Sequence, residues 1–350
     1  MAYTTIKKPS DYFNTKLYTG NDSNSHAITG VGHQPDLIWI KSRSNATSHS
    51  LTDAVRGVGK NLKSDTTGAE FTNTNYVASF DSDGFTINND GDINGNNRTY
   101  ASWNWKANGA GSSNTDGSIT STVSANTTSG FSIVSYTGSG ANATVGHGLG
   151  SEVKFIIIKN RDAGDSWITG HSAIGFTKFT KLDENGASGT SSGFFNNTTP
   201  TSSVFSIGNQ NDVNASGQNI IAYCFADVKG FSKFGSYTGN GSTDGTFCFT
   251  GFKPAFVIVK GSNVSGGWWI KDSIRSGGTN PNGSNPNETQ YPAANENTVE
   301  NKASAFGMDI LSNGFKLRAT DGFINFQGGE YIYMAFAEEP LVGDNPATAR

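Results

Sequence analysis

Aromatic side chains give the clearest candidate for a binding site in this chain. His49, Trp167 and Trp268 each stand eight residues after an apolar run that ends in lysine, and Trp269 follows directly. Aromatic faces stack on sugar rings, and surrounding Asn, Ser and Thr side chains supply neutral hydrogen bonds. Consecutive residues of a strand point to opposite faces, so we expect Trp268 or Trp269 to meet solvent or a partner. The alternative is that these rings pack in a sheet core.

Two charged pairs recur with one spacing. Asp53 precedes Arg56 by three residues, and Asp272 precedes Arg275 by three. This spacing suits a short helical turn with a local ion pair, so we predict structural pins rather than a ligand site. A third copy of the pattern carries His171 in place of the acid.

One segment resembles part of a calcium loop. Residues 90–95 read DGDING, which places Asp90, Asp92 and Asn94 as the first ligands of such a loop. The twelfth position, which should be a bidentate Glu, is Ala101. A turn, in which Asn tolerates a left-handed conformation, is therefore the favoured interpretation, and calcium is the weaker one. We expect no cofactor.

No catalytic constellation accompanies these groups. The sequence lacks G-x-S-x-G, H-E-x-x-H, P-loop and C-x-x-C motifs. Glycoside hydrolysis needs two carboxylates facing one cleft, roughly 5–10 Å apart, and no strand offers acids at i and i+2 or i+4. The sequence therefore predicts a protein that is not an enzyme, with a polysaccharide-degrading enzyme as a remote alternative.

These residues belong to three copies of one unit. A Tyr-Thr-Gly motif precedes the lysine of each apolar run, and in all three copies the tyrosine and the lysine are separated by the same 23 positions: Tyr18 and Lys41, Tyr136 and Lys159, Tyr237 and Lys260. Each copy closes with an aromatic strand, and these strands read TYASWNW, NIIAYCF and EYIYMAF. The sequence therefore predicts three tandem domains.

Composition sets the boundaries of these domains. We predict repeat 1 at 13–107, repeat 2 at 119–228 and repeat 3 at 229–340, with an N-terminal arm at 1–12 and a C-terminal tail at 341–350. Residues 108–118 (NGAGSSNTDGS) are predicted to be a flexible linker. Residues 277–301 form an Asn/Pro/Gly-rich insertion in repeat 3, and a loop of this length is usually functional or mobile.

The composition favours an all-β protein. The 350 residues include 44 Gly, only 15% are charged, and 11% are aromatic. Runs such as Phe155-Ile156-Ile157-Ile158 indicate central strands, and the closing strands alternate. We predict three tandem β-sandwich domains, with jelly-roll topology first and an immunoglobulin-like sandwich second.

Charge and hydropathy limit the partners. The net charge is −4 without a basic cluster, so we expect no nucleic-acid binding. The sequence has no apolar run long enough for a membrane span and no apolar segment near Met1. We therefore expect no membrane insertion and synthesis in a cytoplasm, with Cys224 and Cys248 as buried free thiols.

Several joined motifs resemble a known module. The runs VGHQPDLIWIKSRS, DAVRGVGKNL, FDSDGFTI and TYASWNWKA are similar to a repeated module of marine tailed-bacteriophage virion proteins. So are GFSIVSYTGSGANATVGHGLG, IIAYCFADVKGFSKFGSYTGNGSTDG, LSNGFKLR and YIYMAFAEEPLVGDNPATAR. That module resembles concanavalin A-like sandwiches, and the resemblance covers nearly the whole chain.

The resemblance implies a structural protein on the virion surface, most simply a tail fibre or receptor-binding component that engages a host-surface glycan or receptor. A capsid decoration or head-fibre protein is the alternative. Because single glycan sites are weak, we expect a homo-oligomer, most simply a trimer, with the arm at 1–12 or repeat 1 docked on other virion proteins. The insertion at 277–301 would suit a contact loop.

Overall fold

Antiparallel sheets make up most of the computed structural model, which describes residues 4–275, 290–302 and 307–338. The helices among these residues are short: a 3-10 turn at Pro9–Asp11, α1 at Gly91–Asn94, α2 at Ser192–Phe195 and α3 at Asn211–Asn214. None of the described helices has the length and apolar character needed to cross a membrane. The prediction of an all-β protein is confirmed.

The strands follow the order of the three sequence repeats. Repeat 1 contains β1 (Phe13–Thr19), β2 (His26–Thr29), β3 (Leu37–Ser42), β4 (Ser50–Asp53), β5 (Lys60–Asn61), β6 (Phe71–Thr72), β7 (Val77–Asp81), β8 (Gly84–Ile87) and β9 (Thr99–Trp105).

The second set of strands begins before repeat 2. It contains β10 (Ser112–Asn114), β11 (Ser121–Asn126), β12 (Phe131–Thr137), β13 (Ala143–Gly146), β14 (Phe155–Asn160), β15 (Ile168–His171), β16 (Lys178–Lys181), β17 (Gly189–Thr190), β18 (Val204–Ile207) and β19 (Asn219–Phe225).

Repeat 3 supplies the last set of strands. It contains β20 (Ser232–Thr238), β21 (Phe247–Phe249), β22 (Pro254–Gly261), β23 (Trp269–Asp272), β24 (Gln290–Tyr291), β25 (Asn301–Lys302), β26 (Met308–Leu311), β27 (Gly314–Leu317) and β28 (Glu330–Ala337).

One sheet order recurs in every repeat. The larger sheets contain β1-β9-β3-β4, β12-β19-β14-β15 and β20-β28-β22-β23, and repeat 2 extends its sheet with β10-β11 on one side and β16-β17 on the other. Smaller sheets contain β2-β8-β7, β13-β18 and β21-β27-β26. The closing strand of each repeat lies inside its larger sheet, and every residue after its first is buried.

In repeats 1 and 2, the two faces of the larger sheet contact different cores. In β3, Ile38 and Ile40 join a cluster with the small sheet of repeat 1, whereas Leu37 and Trp39 point the other way. That other face enters a core shared by all three repeats. Its centre holds the equivalent closing-strand residues Trp105, Phe225 and Phe336, whose ring centroids lie 5.8–6.4 Å apart in all three pairings. The three repeats therefore pack against one another around this shared core.

The Tyr-Thr-Gly motif anchors the turn before each closing strand. Tyr18 donates its hydroxyl to the carbonyl of Ile93 at 2.8 Å, next to the fully buried Asn94. A Cβ at Gly20 would lie 2.4 Å from the carbonyl oxygen of Gly95, so this close approach of two chains requires glycine. Equivalent contacts form at Gly138 and Gly239, which explains why the motif recurs.

The segments outside the repeats differ from expectation in two places. Residues 108–118, predicted to be a flexible linker, contain β10, which pairs with β11 in the sheet of repeat 2. Composition hides this pairing, because Ser and Asn fit an exposed edge strand as well as a linker. In the arm at 1–12, Ile6 is buried in the shared core. The tail at 341–350 and most of the insertion at 277–301 lie outside the described residues. Cys224 and Cys248 are buried free thiols, as predicted.

Candidate functional site

The predicted aromatic binding residues lie between the repeats. We call a contact between two repeats a seam. Three side-chain ring nitrogens make hydrogen bonds across the seams: His49 Nε2 contacts Ala293 O at 2.9 Å, Trp167 Nε1 donates to Lys63 O at 2.9 Å, and Trp268 Nε1 donates to Lys181 O at 2.8 Å. These contacts run from repeat 1 to repeat 3, from repeat 2 to repeat 1 and from repeat 3 to repeat 2, so together they form a closed circle. These three acceptors are equivalent. Each stands two residues before a side chain that accepts the backbone N–H of His49, Trp167 or Trp268 within the acceptor's own repeat.

His49 donates a hydrogen bond across its seam as Trp167 and Trp268 do at theirs, because its hydrogen bonds fix which ring nitrogen carries the proton. Trp39 Nε1 can only donate, so His49 Nδ1 accepts its hydrogen bond at 2.8 Å. His49 Nε2 then carries the proton and donates it to Ala293 O. Burial holds the pKa of His49 well below its usual range, with the charge of Lys41 adding to the effect. His49 is therefore a neutral donor at a seam.

Burial removes three of the four residues from contact with a ligand in this structure. His49 and Trp167 are fully buried, and Trp268 lies in the shared core beside Phe155. We expected Trp268 or Trp269 to meet solvent or a partner. In the structure neither ring is widely exposed, since Trp268 is 2% exposed and Trp269 is 6% exposed. Trp269 lines a surface cleft.

The predicted ion pairs also lie at seams. Arg56 Nε lies 2.5 Å from Asp53 Oδ2, and Tyr223 of repeat 2 donates its hydroxyl to the same carboxylate oxygen at 2.8 Å. All three side chains are buried. The sequence indicated the pair but not its partner in the next repeat.

The residues at the corresponding positions of the other two copies also make polar contacts across seams. Asp272 pairs with Arg275 and accepts Trp103 Nε1 of repeat 1 at 3.0 Å. His171 stands in the same place in repeat 2, and its Nε2 contacts Tyr333 O of repeat 3 at 3.1 Å. A second ring of contacts therefore closes the three seams, and these residues act as structural pins.

The calcium-like segment forms a capped helical turn. Asp90 caps α1 by accepting the backbone N–H of Asp92 at 2.9 Å. The Asp92 carboxylate accepts Tyr76 Oη at 2.7 Å, and Asn94 donates to two backbone carbonyls. Asn94 Oδ1 accepts the backbone N–H of Asn21 at 3.0 Å, so an oxygen of each of these three side chains already has a protein partner. Among the described residues, no group of three or more His, Cys, Asp or Glu side chains is placed to hold a metal ion.

The cleft beside Trp269 is the candidate site that contains one of the predicted aromatic residues. It measures about 310 Å³ and lies where repeat 2 meets repeat 3. Phe323 forms one wall, with its side chain 42% exposed and its ring centroid 5.6 Å from that of Trp269. The volume is at the lower end for small-molecule sites, so the cleft suits one ring-sized ligand.

Two neutral polar side chains, one carboxylate and two glycines complete the cleft. Asn185, Ser265 and Glu296 line it, and the backbone N–H of Gly266 donates to Asn185 O at 2.8 Å across the seam. A Cβ at Gly266 would lie 3.3 Å from the Phe323 ring, so glycine keeps this wall open. The arrangement supplies an aromatic face with hydrogen-bonding groups around it, and offers one carboxylate rather than the pair that acid–base hydrolysis requires.

The aromatic wall is specific to this seam. Phe323 stands two residues before Asn325, and the equivalent positions before Asn94 and Asn214 are Asp92 and Asp212. Sequence reasoning missed Phe323, although aligning the three Asn residues would have shown a phenylalanine in place of an acid.

Comparisons with known proteins leave the activity open. No curated protein and no solved structure matches the chain. A family profile described as "Domain of unknown function (DUF7483)" matches residues 8–340, which covers all three repeats. The chain therefore belongs to the DUF7483 family.

Proposed function

We propose that this chain is a bacteriophage virion protein that binds host-surface glycans, most simply as part of a tail fibre. The joined sequence motifs support the virion assignment through their resemblance to the marine phage module. We also propose that each repeat is a two-sheet, concanavalin A-like sandwich, since a larger and a smaller sheet enclose a separate apolar cluster in repeats 1 and 2. No catalytic step is part of the proposal.

One observation carries the adhesion role. The half-exposed Phe323 ring stands beside Trp269 in a cleft whose other walls are amide, hydroxyl, carboxylate and glycine. An apolar ring face stacks on the C–H face of a sugar, and neutral groups at the rim bind its hydroxyls without the cost of desolvating many charges. The ligand class is therefore a neutral or weakly polar glycan.

A matched pair of phenylalanine variants tests the proposal. Labelled protein is measured for retention on host cells and on host polysaccharide. Phe323→Ala removes the cleft wall, and we expect retention to fall about tenfold or more, the equivalent of about 1.4 kcal/mol. Phe326→Ala is the control, because Phe326 is 54% exposed and lies outside the cleft. Equal retention of both variants and of the parent protein would refute a glycan site here.

Capsid decoration is the second candidate. The closed ring of seam contacts gives one chain three similar faces, which suits a position of threefold symmetry on a capsid. Localising the protein on particles by cryo-electron microscopy separates the two roles. Density at the tail supports the fibre, and density at threefold positions of the head supports decoration.

A further inference from the structure

Strand β21 presents an unusual edge. It is the outermost strand of the sheet β21-β27-β26, and within the described ranges no other strand pairs with its outer side. Phe247 is 43% exposed and Phe249 is 61% exposed, while Cys248 between them is buried. Proteins normally protect such an edge with charge, proline or a covering segment, and β21 carries no charged residue and no proline.

Among the described residues, the backbone hydrogen bonds of β21 all run to the β27 side. Leu317 N donates to Thr246 O at 3.1 Å, and Thr250 N donates to Asn313 O at 3.0 Å. Hydrogen-bonded pairs alternate along an antiparallel ladder, so Cys248 is the next residue bonded to β27. The N–H and C=O groups of Phe247 and Phe249 therefore point outward, away from β27.

The equivalent edges of the other repeats are built differently. In repeat 1, Thr29 pairs with Gly84 as Phe249 pairs with Gly314, so β2 carries Ala27 and Thr29 where β21 carries phenylalanine. In repeat 2, the chain itself covers β13, since Ile119 N donates to Thr144 O at 3.0 Å. An aromatic, uncovered edge is thus particular to repeat 3 among the described strands.

The sequence around β21 identifies the occupant. Residues 245–251 read GTFCFTG, which is the same in both directions about Cys248. Two antiparallel copies centred on Cys248 would place Phe247 opposite Phe249, Thr246 opposite Thr250 and Gly245 opposite Gly251. Asp244 precedes this run and Lys253 follows it closely, so each acidic end would lie near the basic end of the other copy.

We propose that two copies of this chain associate through β21, pairing edge to edge about a twofold axis. The two three-stranded sheets then continue as one sheet across the axis, and Phe247 and Phe249 cover each other in cross-strand pairs. Asp244 already bridges Lys316 at 2.6 Å and Lys253 bridges Glu338 at 3.2 Å, so the end charges join existing pairs. This inference does not depend on the glycan site.

Solution mass tests the proposal directly. Light scattering after size-exclusion chromatography should give twice the 36.9 kDa of one chain, with dissociation on dilution. Phe249→Lys should give a single-chain mass, because a charge on the edge opposes pairing. The matched control is Thr29→Lys on the equivalent edge of repeat 1, which should remain dimeric. A trimer, a monomeric parent protein, or a dimer that survives Phe249→Lys overturns the proposal.

Two further measurements exclude general stickiness. Phe249→Pro removes an outward N–H and should also abolish the dimer, whereas Phe326→Ala removes an exposed phenylalanine elsewhere and should not. Hydrogen exchange should show the amides of Phe247 and Phe249 protected at high protein concentration and exposed on dilution. Circular dichroism establishes that each variant is folded. Exchange that is independent of concentration at these two amides contradicts the pairing.

Discussion

Tyr223 donates its hydroxyl to Asp53 at 2.8 Å across 170 positions of sequence. The contact joins the closing strand of repeat 2 to an ion pair of repeat 1, and Arg56 Nη2 donates to the same hydroxyl at 3.3 Å. Asp272 and Trp103 make the corresponding contact between repeats 3 and 1. Each seam therefore closes on a buried polar group rather than on apolar packing alone.

Removing the acid of this pin should be costly. Asp53→Ala leaves the buried Arg56 guanidinium with Glu70 at 3.2 Å as its remaining carboxylate. Breaking a buried pair from one side costs about 3–5 kcal/mol, and we expect that loss in urea unfolding. Asp11→Ala, which breaks the exposed pair with Lys8, should have no measurable effect. Equal midpoints for the two variants would show that the pin does not stabilise the fold.

Acid should weaken the seam between repeats 2 and 3. His171 Nδ1 accepts the backbone N–H of Ala173 and Nε2 contacts Tyr333 O, so the ring is neutral. Burial lowers its pKa to about 4, against 6.5 for the unfolded side chain. Between these two pKa values only the unfolded chain binds the proton. The contribution of His171 to the free energy of unfolding is therefore complete above pH 6.5, and it falls by about 1.4 kcal/mol per pH unit down to pH 4.

The contribution of His171 can be measured from the slope of the unfolding free energy against pH. His171→Asn should reduce the pH dependence of the unfolding free energy between pH 6.5 and 4 by one proton. His33, whose pKa burial also lowers to about 4, keeps its contribution in both proteins and cancels from the difference. An unchanged slope in the variant would mean that His171 is not held neutral.

The Tyr-Thr-Gly glycine should tolerate no side chain. Gly20→Ala places a Cβ 2.4 Å from the carbonyl oxygen of Gly95, so the turn must shift. Overpacking of this kind costs about 1–3 kcal/mol, measurable as a lower urea midpoint. Gly186→Ala is the control, because a Cβ there meets nothing within 4 Å. The close approach would be disproved by parent-like stability of Gly20→Ala.

Replacing the buried Asn214 by its isostere aspartate should destabilise the fold. Asn214 Nδ2 donates to Ala141 O at 2.6 Å and to Gly208 O at 2.7 Å. Asn214→Asp sets a carboxylate against two carbonyls, and we expect a loss of roughly 3 kcal/mol or more at pH 7. The loss should shrink in acid, where protonation restores a donor. Asn142→Asp at an exposed position should unfold like the parent, and a similar loss there would contradict a specific role of Asn214.

The positions of the strands could be predicted from the sequence more readily than the surfaces that pack against them. The run Phe155–Ile158 predicts a central strand, and β14 lies there with both faces buried. The opposite orientations of Trp268 and Trp269 were also inferred, but the strand's second face is covered by the shared core. When residues of another repeat cover a strand face, the sequence of that strand does not show which residues cover it.

The seam contacts were hidden for a related reason. Trp167 and Trp268 bind main-chain oxygens of Lys63 and Lys181, and a carbonyl carries no residue signature. Asp53 and Arg56 were paired because three positions separate them, whereas Tyr223 is remote. Phe323 was detectable, since it replaces an acid that the other two copies keep.

The closed ring of seam contacts has an evolutionary consequence. In a ring of three identical chains, any substitution appears three times, so a new aromatic wall would also appear at both other junctions. Here one chain encodes all three units, and each can change alone. Phe323 on one junction and Phe249 on one edge are changes that only such a fused ring permits. Fusion thus turns a symmetric scaffold into one with distinguishable faces.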